Sequence, residues 1–127
     1  MHTLLVVEDA AEVRRPLAKL LRQEGYNVLT AIDAYSAAQA VRTSHPDLIL
    51  LDVGIPPMDG LTMLSLLHQE SPDYNIPVIL VTAHGDEHTV TRGQQLGVKA
   101  HLLKSQYTPD QLLDLIKQHV SSAETAS

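Results

Sequence analysis

The stretch Pro46-Asp47-Leu48-Ile49-Leu50-Leu51-Asp52, continued by Val53-Gly54-Ile55-Pro56-Pro57-Met58-Asp59-Gly60, decides how the rest of the chain is read. Leu48 to Leu51 form a short unbroken apolar run, which suits a strand buried on both faces. Such a strand has no room for a charge in its middle, so Asp52 marks its end. Gly54, Pro56, Pro57 and Gly60 then force a loop. A carboxylate is thus expected at the carboxyl end of a central strand, on the edge where open α/β sheets bind ligands. Taken alone, Asp52 reads equally well as a solvated turn residue that ends a strand.

Toward the amino terminus, Leu4 to Val7 is a second apolar run, and it too stops at acids, Glu8 and Asp9. A helix is expected from about Ala10 to Glu24, ended by Gly25. Val13, Leu17, Leu20 and Leu21 give it one apolar face, and Pro16 removes a backbone bond, which predicts a local bend. Asn27 to Ala31 is a strand of mixed polarity, placed near an edge of the sheet. Ala34, Ala37, Ala38 and Val41 make a stripe of small residues, so this helix lies close to the sheet; Pro46 stops it.

Toward the carboxyl terminus, Leu61 to Glu70 is a helix with Leu64 and Leu67 inward, and Pro72 to Asn75 is a turn. Val78 to Val81 is a strand ending at Thr82. Asp86 to Leu96 is a poor helix, because Thr89, Val90, Thr91 and Gly93 have low helix propensity; Gly97 closes it. Val98 to Leu103 is a strand ending at Lys104. Thr108-Pro109-Asp110-Gln111 is a capping box with proline at the first helical position, and Leu112, Leu115, Ile116 and His119 continue one face. Residues 1–120 read as one domain and 121–127 as a polar tail or the start of a linker. Five β-α alternations predict a parallel sheet with helices on both faces and right-handed crossovers, a doubly wound α/β fold.

The composition narrows the function. A chain of 127 residues that is 44% apolar can bury a real core. A net charge of −6 gives no attraction to nucleic acid or an anionic membrane, and no apolar run is long enough to span a bilayer. The absence of cysteine excludes disulfides and thiolate metal sites. Met1-His2-Thr3 leads straight into a strand, so no signal peptide is expected and the chain reads as cytoplasmic.

In a parallel sheet all strand ends share an edge, which brings Glu8, Asp9, Asp52, Thr82 and Lys104 toward one cleft. Three carboxylates repel one another unless a cation lies between them, and an all-oxygen set favours Mg²⁺. Mg²⁺, a lysine and a hydroxyl suit the equatorial oxygens of an incoming phosphoryl group. Asp52 is then a nucleophile that forms an acyl phosphate, with Thr82 hydrogen-bonded to a phosphoryl oxygen. Each residue has a plainer account: an acidic pair favoured at a helix amino terminus, an ordinary strand end, a solvated lysine. Their joint placement on one edge is what favours a site.

With these motifs in place, the sequence resembles the receiver domain of bacterial two-component response regulators. LLVVED at 4–9, DLILLDVGIPPMDG at 47–60, PVILVTA at 77–83 and AHLLK at 100–104 carry the resemblance, which covers about residues 3–120. It implies a flavodoxin-like (CheY-like) five-stranded sheet of order 2-1-3-4-5. It implies that Asp52 takes a phosphoryl group from the phosphohistidine of a sensor histidine kinase or phosphotransfer protein. Asp9, Asp52 and the carbonyl of Gly54 would ligate Mg²⁺, with Glu8 acting through a metal-bound water. Thr82 and His101 would form the switch, and Lys104 would pair with the phosphoryl group. The fourth helix, fifth strand and fifth helix would then change shape for a downstream effector or fused output domain, with the weak fourth helix as the displaced element. Helices 4 and 5 could also form a homodimer. No direct nucleic-acid contact is implied.

The chain departs from the family pattern in three places. Ser105 stands where the family has a proline after the lysine, so a trans bond is expected there. The spacing to Thr108-Pro109 is one residue longer than usual. His101 replaces the usual aromatic, still a flat ring; Gly54 and His84 occupy positions that tune dephosphorylation. Two other readings fit less well. A small phosphatase with an aspartyl nucleophile lacks its second aspartate, since Gly54 stands there. A pseudo-receiver that never carries phosphate is disfavoured because all five key residues are present. His84 and His88 lack a third zinc ligand.

Overall fold

The computed structural model describes residues 2–52, 60–70, 76–82, 87–104 and 106–125. The elements alternate strictly: β1 Thr3–Val7, α1 Ala11–Gln23, β2 Asn27–Ala31, α2 Ala34–Ser44, β3 Leu48–Leu51, α3 Gly60–Glu70, β4 Val78–Thr82, α4 Glu87–Gln95, β5 Ala100–Leu103 and α5 Pro109–Thr125. The strands form one all-parallel sheet in the order β2-β1-β3-β4-β5, as expected. Val7 is in register with Leu51, and Leu51 with Leu80, so the central strands end close together. The mixed-polarity strand β2 lies at an edge.

Two apolar layers sandwich the sheet, because alternate residues of each strand point to opposite faces. Leu5, Val7, Ile49, Leu51 and Leu80 pack against α2 and α3 on one side. Leu4, Val6, Leu50, Ile79 and Val81 pack against α1 and α5 on the other. Leu48 to Leu51 are buried throughout, as a central parallel strand requires. Truncating one of these leucines to alanine costs about 2–5 kcal/mol.

The helix ends follow their sequences. Gly25, with φ of 95°, ends α1 in a Schellman arrangement in which Gly25 N–H donates to Arg22 and Tyr26 N–H to Leu21. Asp33 caps α2, accepting from Ser36 N at 2.8 Å, and the Ser36 hydroxyl accepts from Asp33 N in return. These bonds hold the Asp33 carboxyl below its usual range. Thr108 and Gln111 form the expected reciprocal box at α5, at 2.9 and 3.2 Å.

Three details differ in extent from the expectation. β5 begins at Ala100 rather than Val98, because Val98 N–H donates 2.9 Å to Gly93 O and so belongs to the closure of α4. In α1 the fully buried residues are Ala18 and Leu21, while Val13, Leu17 and Leu20 are half-buried. Pro16 lies inside this helix at an exposed position. α5 continues to Thr125, so residues 121–125 of the polar tail have helical backbone; no glycine or proline interrupts them.

Candidate phosphoryl-acceptor site

The carboxyl ends of β1 and β3 build the acidic part of the site. Glu8 N–H makes the last bond to β2, at Ala31 O, and Asp52 N–H donates to Val7 O, each 3.0 Å. These bonds fix Glu8 and Asp52 one step beyond neighbouring strands. Glu8 and Asp52 are buried, at 3% and 9% exposure, and Asp9 is exposed. Carboxylate oxygens of Glu8, Asp9 and Asp52 lie within 4.8 Å of one another. Three hard anionic oxygens at that spacing fit a divalent cation such as Mg²⁺.

Lys104, just past β5, supplies the positive charge. Its Nζ lies 2.5 Å from Glu8 Oε1 and 3.1 Å from Asp52 Oδ2, with the lysine side chain one-quarter exposed. Burial pulls the ammonium pKa down, but the bonds to Glu8 and Asp52 outweigh it and hold the pKa above its usual value. Burial pushes the Glu8 carboxyl from 4.5 to about 6; Lys104 opposes the rise, while Asp52 and Asp9 add to it.

Of the residues singled out from sequence, Glu8, Asp9, Asp52 and Lys104 come together. Thr82 ends β4 in register with Leu103, one residue before Lys104; the position of its side chain is outside the description. His101 is exposed on β5 opposite Leu80, beside a small cavity that Gln94 also lines. Gly54, His84 and Ser105, with the Lys104–Ser105 bond, lie outside the described residues, as does the side chain of His88.

Two residues near the site were not singled out from sequence. Arg14 Nη1 donates to the carbonyls of Glu8 and Asp9. Tyr107 is half-buried against the α1–α5 core; burial raises its phenol pKa, with Lys104 pulling it down and Glu8 pushing it up. Arg14 could have been found as a basic residue one turn into the helix that follows the acidic pair. Tyr107 offered no such signal, because the lengthened loop hid its register.

A parallel sheet of this order, with three acids and a lysine at its carboxyl edge, defines a response-regulator receiver architecture. The chain belongs to the response regulator receiver domain family, whose model matches residues 4–117. It is 37% identical over 114 residues to the phosphate regulon transcriptional regulatory protein PhoB of Klebsiella pneumoniae, covering 90% of this chain and 49% of that protein. It is 32% identical over 117 residues to sporulation initiation phosphotransferase F of Bacillus subtilis, covering 92% of each. The chain therefore spans about half of the first relative and nearly all of the second. Its fold matches a receiver domain from Methanospirillum hungatei with a TM-score of 0.91, at 24% identity, over 100% of this chain and 99% of that one. Among the described residues, no helix is long and apolar enough to cross a membrane.

Proposed function

We propose that residues 1–120 form a phosphorylation-controlled receiver unit in which Asp52 accepts a phosphoryl group from the phosphohistidine of a sensor kinase or phosphotransfer protein. The observation that carries this is the cluster of three carboxylate oxygen donors within 4.8 Å, with Lys104 Nζ 3.1 Å from Asp52. Asp52 sits at the mouth of the sheet, where its carboxylate oxygen attacks phosphorus as the phosphorus–nitrogen bond breaks. The histidine nitrogen departs with that bond's electron pair.

Glu8, Asp9 and Asp52, with the Gly54 carbonyl, would hold Mg²⁺. The bound cation would neutralise charge on the transferring group. Lys104, already beside Asp52, turns toward the phosphoryl oxygens, and Thr82 contributes a hydroxyl from the end of β4. Asp52 is thus a phosphoacceptor in a regulatory unit, which catalyses only its own phosphorylation and dephosphorylation.

The new charge on Asp52 then draws Lys104 and Thr82 toward it, which biases His101 and the α4-β5-α5 surface toward a second arrangement. That surface is the output face, for a separate effector, a fused output domain or a second copy of the chain. A unit of this kind would act in the cytoplasm, where its kinase partner's phosphohistidine lies.

Transfer from a phosphorylated histidine phosphotransfer domain tests the reading. The wild-type chain should gain label in the presence of Mg²⁺ and lose that capacity on Asp52→Asn. Labelling of Asp52→Asn at the wild-type rate would remove Asp52 from the role. A chain that never takes label but still binds its partners would be a phosphorylation-independent interaction module.

A further inference from the structure

The carbonyls of Glu8 and Asp9 pose a local problem that Arg14 solves. At this point β1 has ended: Glu8 N–H makes the final bond to β2. The first turn of α1 closes on Ala10, whose carbonyl accepts from both Val13 and Arg14 N–H at 3.1 and 2.9 Å. Among the described residues, the two carbonyls between strand and helix accept from neither ladder, and the Glu8 carbonyl, in a partly buried setting, needs a partner. Arg14 Nη1 supplies them, donating to Glu8 O at 3.0 Å and Asp9 O at 3.1 Å. A second tie runs from Ala10 N–H to Glu8 Oε2 at 3.3 Å.

We infer that Arg14 is a positioning residue for the cation site, clamping the Glu8–Asp9 backbone so that a buried and an exposed carboxylate converge with Asp52. This rests on the proposal that the cluster binds Mg²⁺. Arg14 fixes the peptide planes on either side of Asp9, and the Glu8 N–H bond to Ala31 O fixes the plane before Glu8, so together they set the directions of both Cα–Cβ bonds. The guanidinium bonds the main chain and, among the described residues, forms no ion pair. Its charge thus offsets the crowded acids without Arg14 itself bonding their side-chain oxygens. A lysine would place a single point charge there but would not hold two carbonyls in the plane of one rigid fork.

Mg²⁺ titration of the intact chain by NMR, with amide hydrogen exchange on the same samples, tests the inference. Arg14→Gln should weaken Mg²⁺ binding by about tenfold or more, the usual effect of losing an outer-shell support. Arg14→Lys should fall between it and the wild type. Exchange at Asp9 and Ala10 should quicken in Arg14→Gln while Leu5 and Leu50 keep their protection. Phosphorylation by acetyl phosphate should return to the wild-type rate at saturating Mg²⁺. Binding by Arg14→Gln within about twofold of wild type would overturn the inference. So would weaker binding accompanied by lost protection across β1 and β3, which is a general folding defect. Failure of the wild-type chain to bind Mg²⁺ would instead overturn the cation-site proposal, and this inference with it.

Discussion

Lys104 Nζ lies 2.5 Å from Glu8 Oε1, closer than to Asp52 Oδ2 at 3.1 Å. In this state the ammonium occupies the most buried carboxylate of the cluster. A divalent cation approaching the same oxygens must compete with it. Lys104→Met should therefore bind Mg²⁺ more tightly, by roughly 1 kcal/mol or about fivefold, the scale of one partly exposed charged hydrogen bond. Phosphorylation of Asp52 should slow at the same time, because the lysine no longer meets the phosphoryl oxygens. Mg²⁺ titration and acetyl phosphate kinetics separate the two effects; Mg²⁺ affinity that falls in Lys104→Met would contradict the competition.

Glu8 gives the site a pH dependence of definite sign. Its carboxyl titrates at about 6 in the folded chain, against an ordinary 4.5. The folded state therefore holds this proton more tightly than the unfolded one. Its contribution to metal-free stability is full below 4.5 and is lost as the pH rises through about 6. Metal binding needs the carboxylate, so Mg²⁺ affinity should run the other way, falling as the pH drops through about 6. Glu8→Gln should remove the Glu8 component from both profiles. Denaturant midpoints and Mg²⁺ titrations between pH 4.5 and 7.5, about the interval the shift spans, check both signs.

Gly93 lets α4 approach the sheet. A Cβ at this buried position would meet Leu80 Cδ1 at 3.1 Å and Val98 Cγ2 at 3.5 Å. Gly93→Val adds branching where Leu80 has little room, so it should destabilise the fold by about 1–3 kcal/mol, as overpacking does. Gly93→Ala gains helix propensity of about 1 kcal/mol and needs only a small shift of Leu80, so its net effect should stay within about 1 kcal/mol. Urea unfolding of the two variants distinguishes them.

The cap of α5 tests the carboxyl-terminal helix. Thr108→Ala removes the acceptor for Gln111 N–H and should cost about 1 kcal/mol. Leu112 and Ile116 are fully buried one and two turns further on, so loosening this end reaches the core. Thermal melts of Thr108→Ala and Thr108→Ser should show a loss in the first that the second restores.

Much of this was legible in the sequence because the relevant signals are local. The apolar runs at 4–7, 48–51 and 78–81 stop at polar residues, and a parallel sheet sends those stops to one edge. The cap at Asp33 is carried by an Asp-x-x-Ser pair, a weaker signal than the usual Ser/Thr-x-x-Glu box and adjacent to a stronger alanine stripe. The start of β5 was misplaced because Val98 looks like strand but its N–H serves the end of α4, a tertiary choice that composition does not encode. Arg14 was missed for a related reason: its partners are main-chain oxygens, which have no side-chain signature. The pairing of Lys104 with Glu8 as well as Asp52 needed coordinates, since both acids were equally plausible partners from spacing alone.

The central claim is that Asp52 becomes an acyl phosphate by a Mg²⁺-dependent reaction. The direct measurement is incubation with acetyl phosphate and Mg²⁺, then borohydride reduction and peptide mass spectrometry to locate the reduced acyl phosphate. It should appear at Asp52, vanish when Mg²⁺ is chelated, and be absent in Asp52→Asn. An unmodified Asp52 after full incubation with Mg²⁺, or a modification that persists in Asp52→Asn, would contradict it.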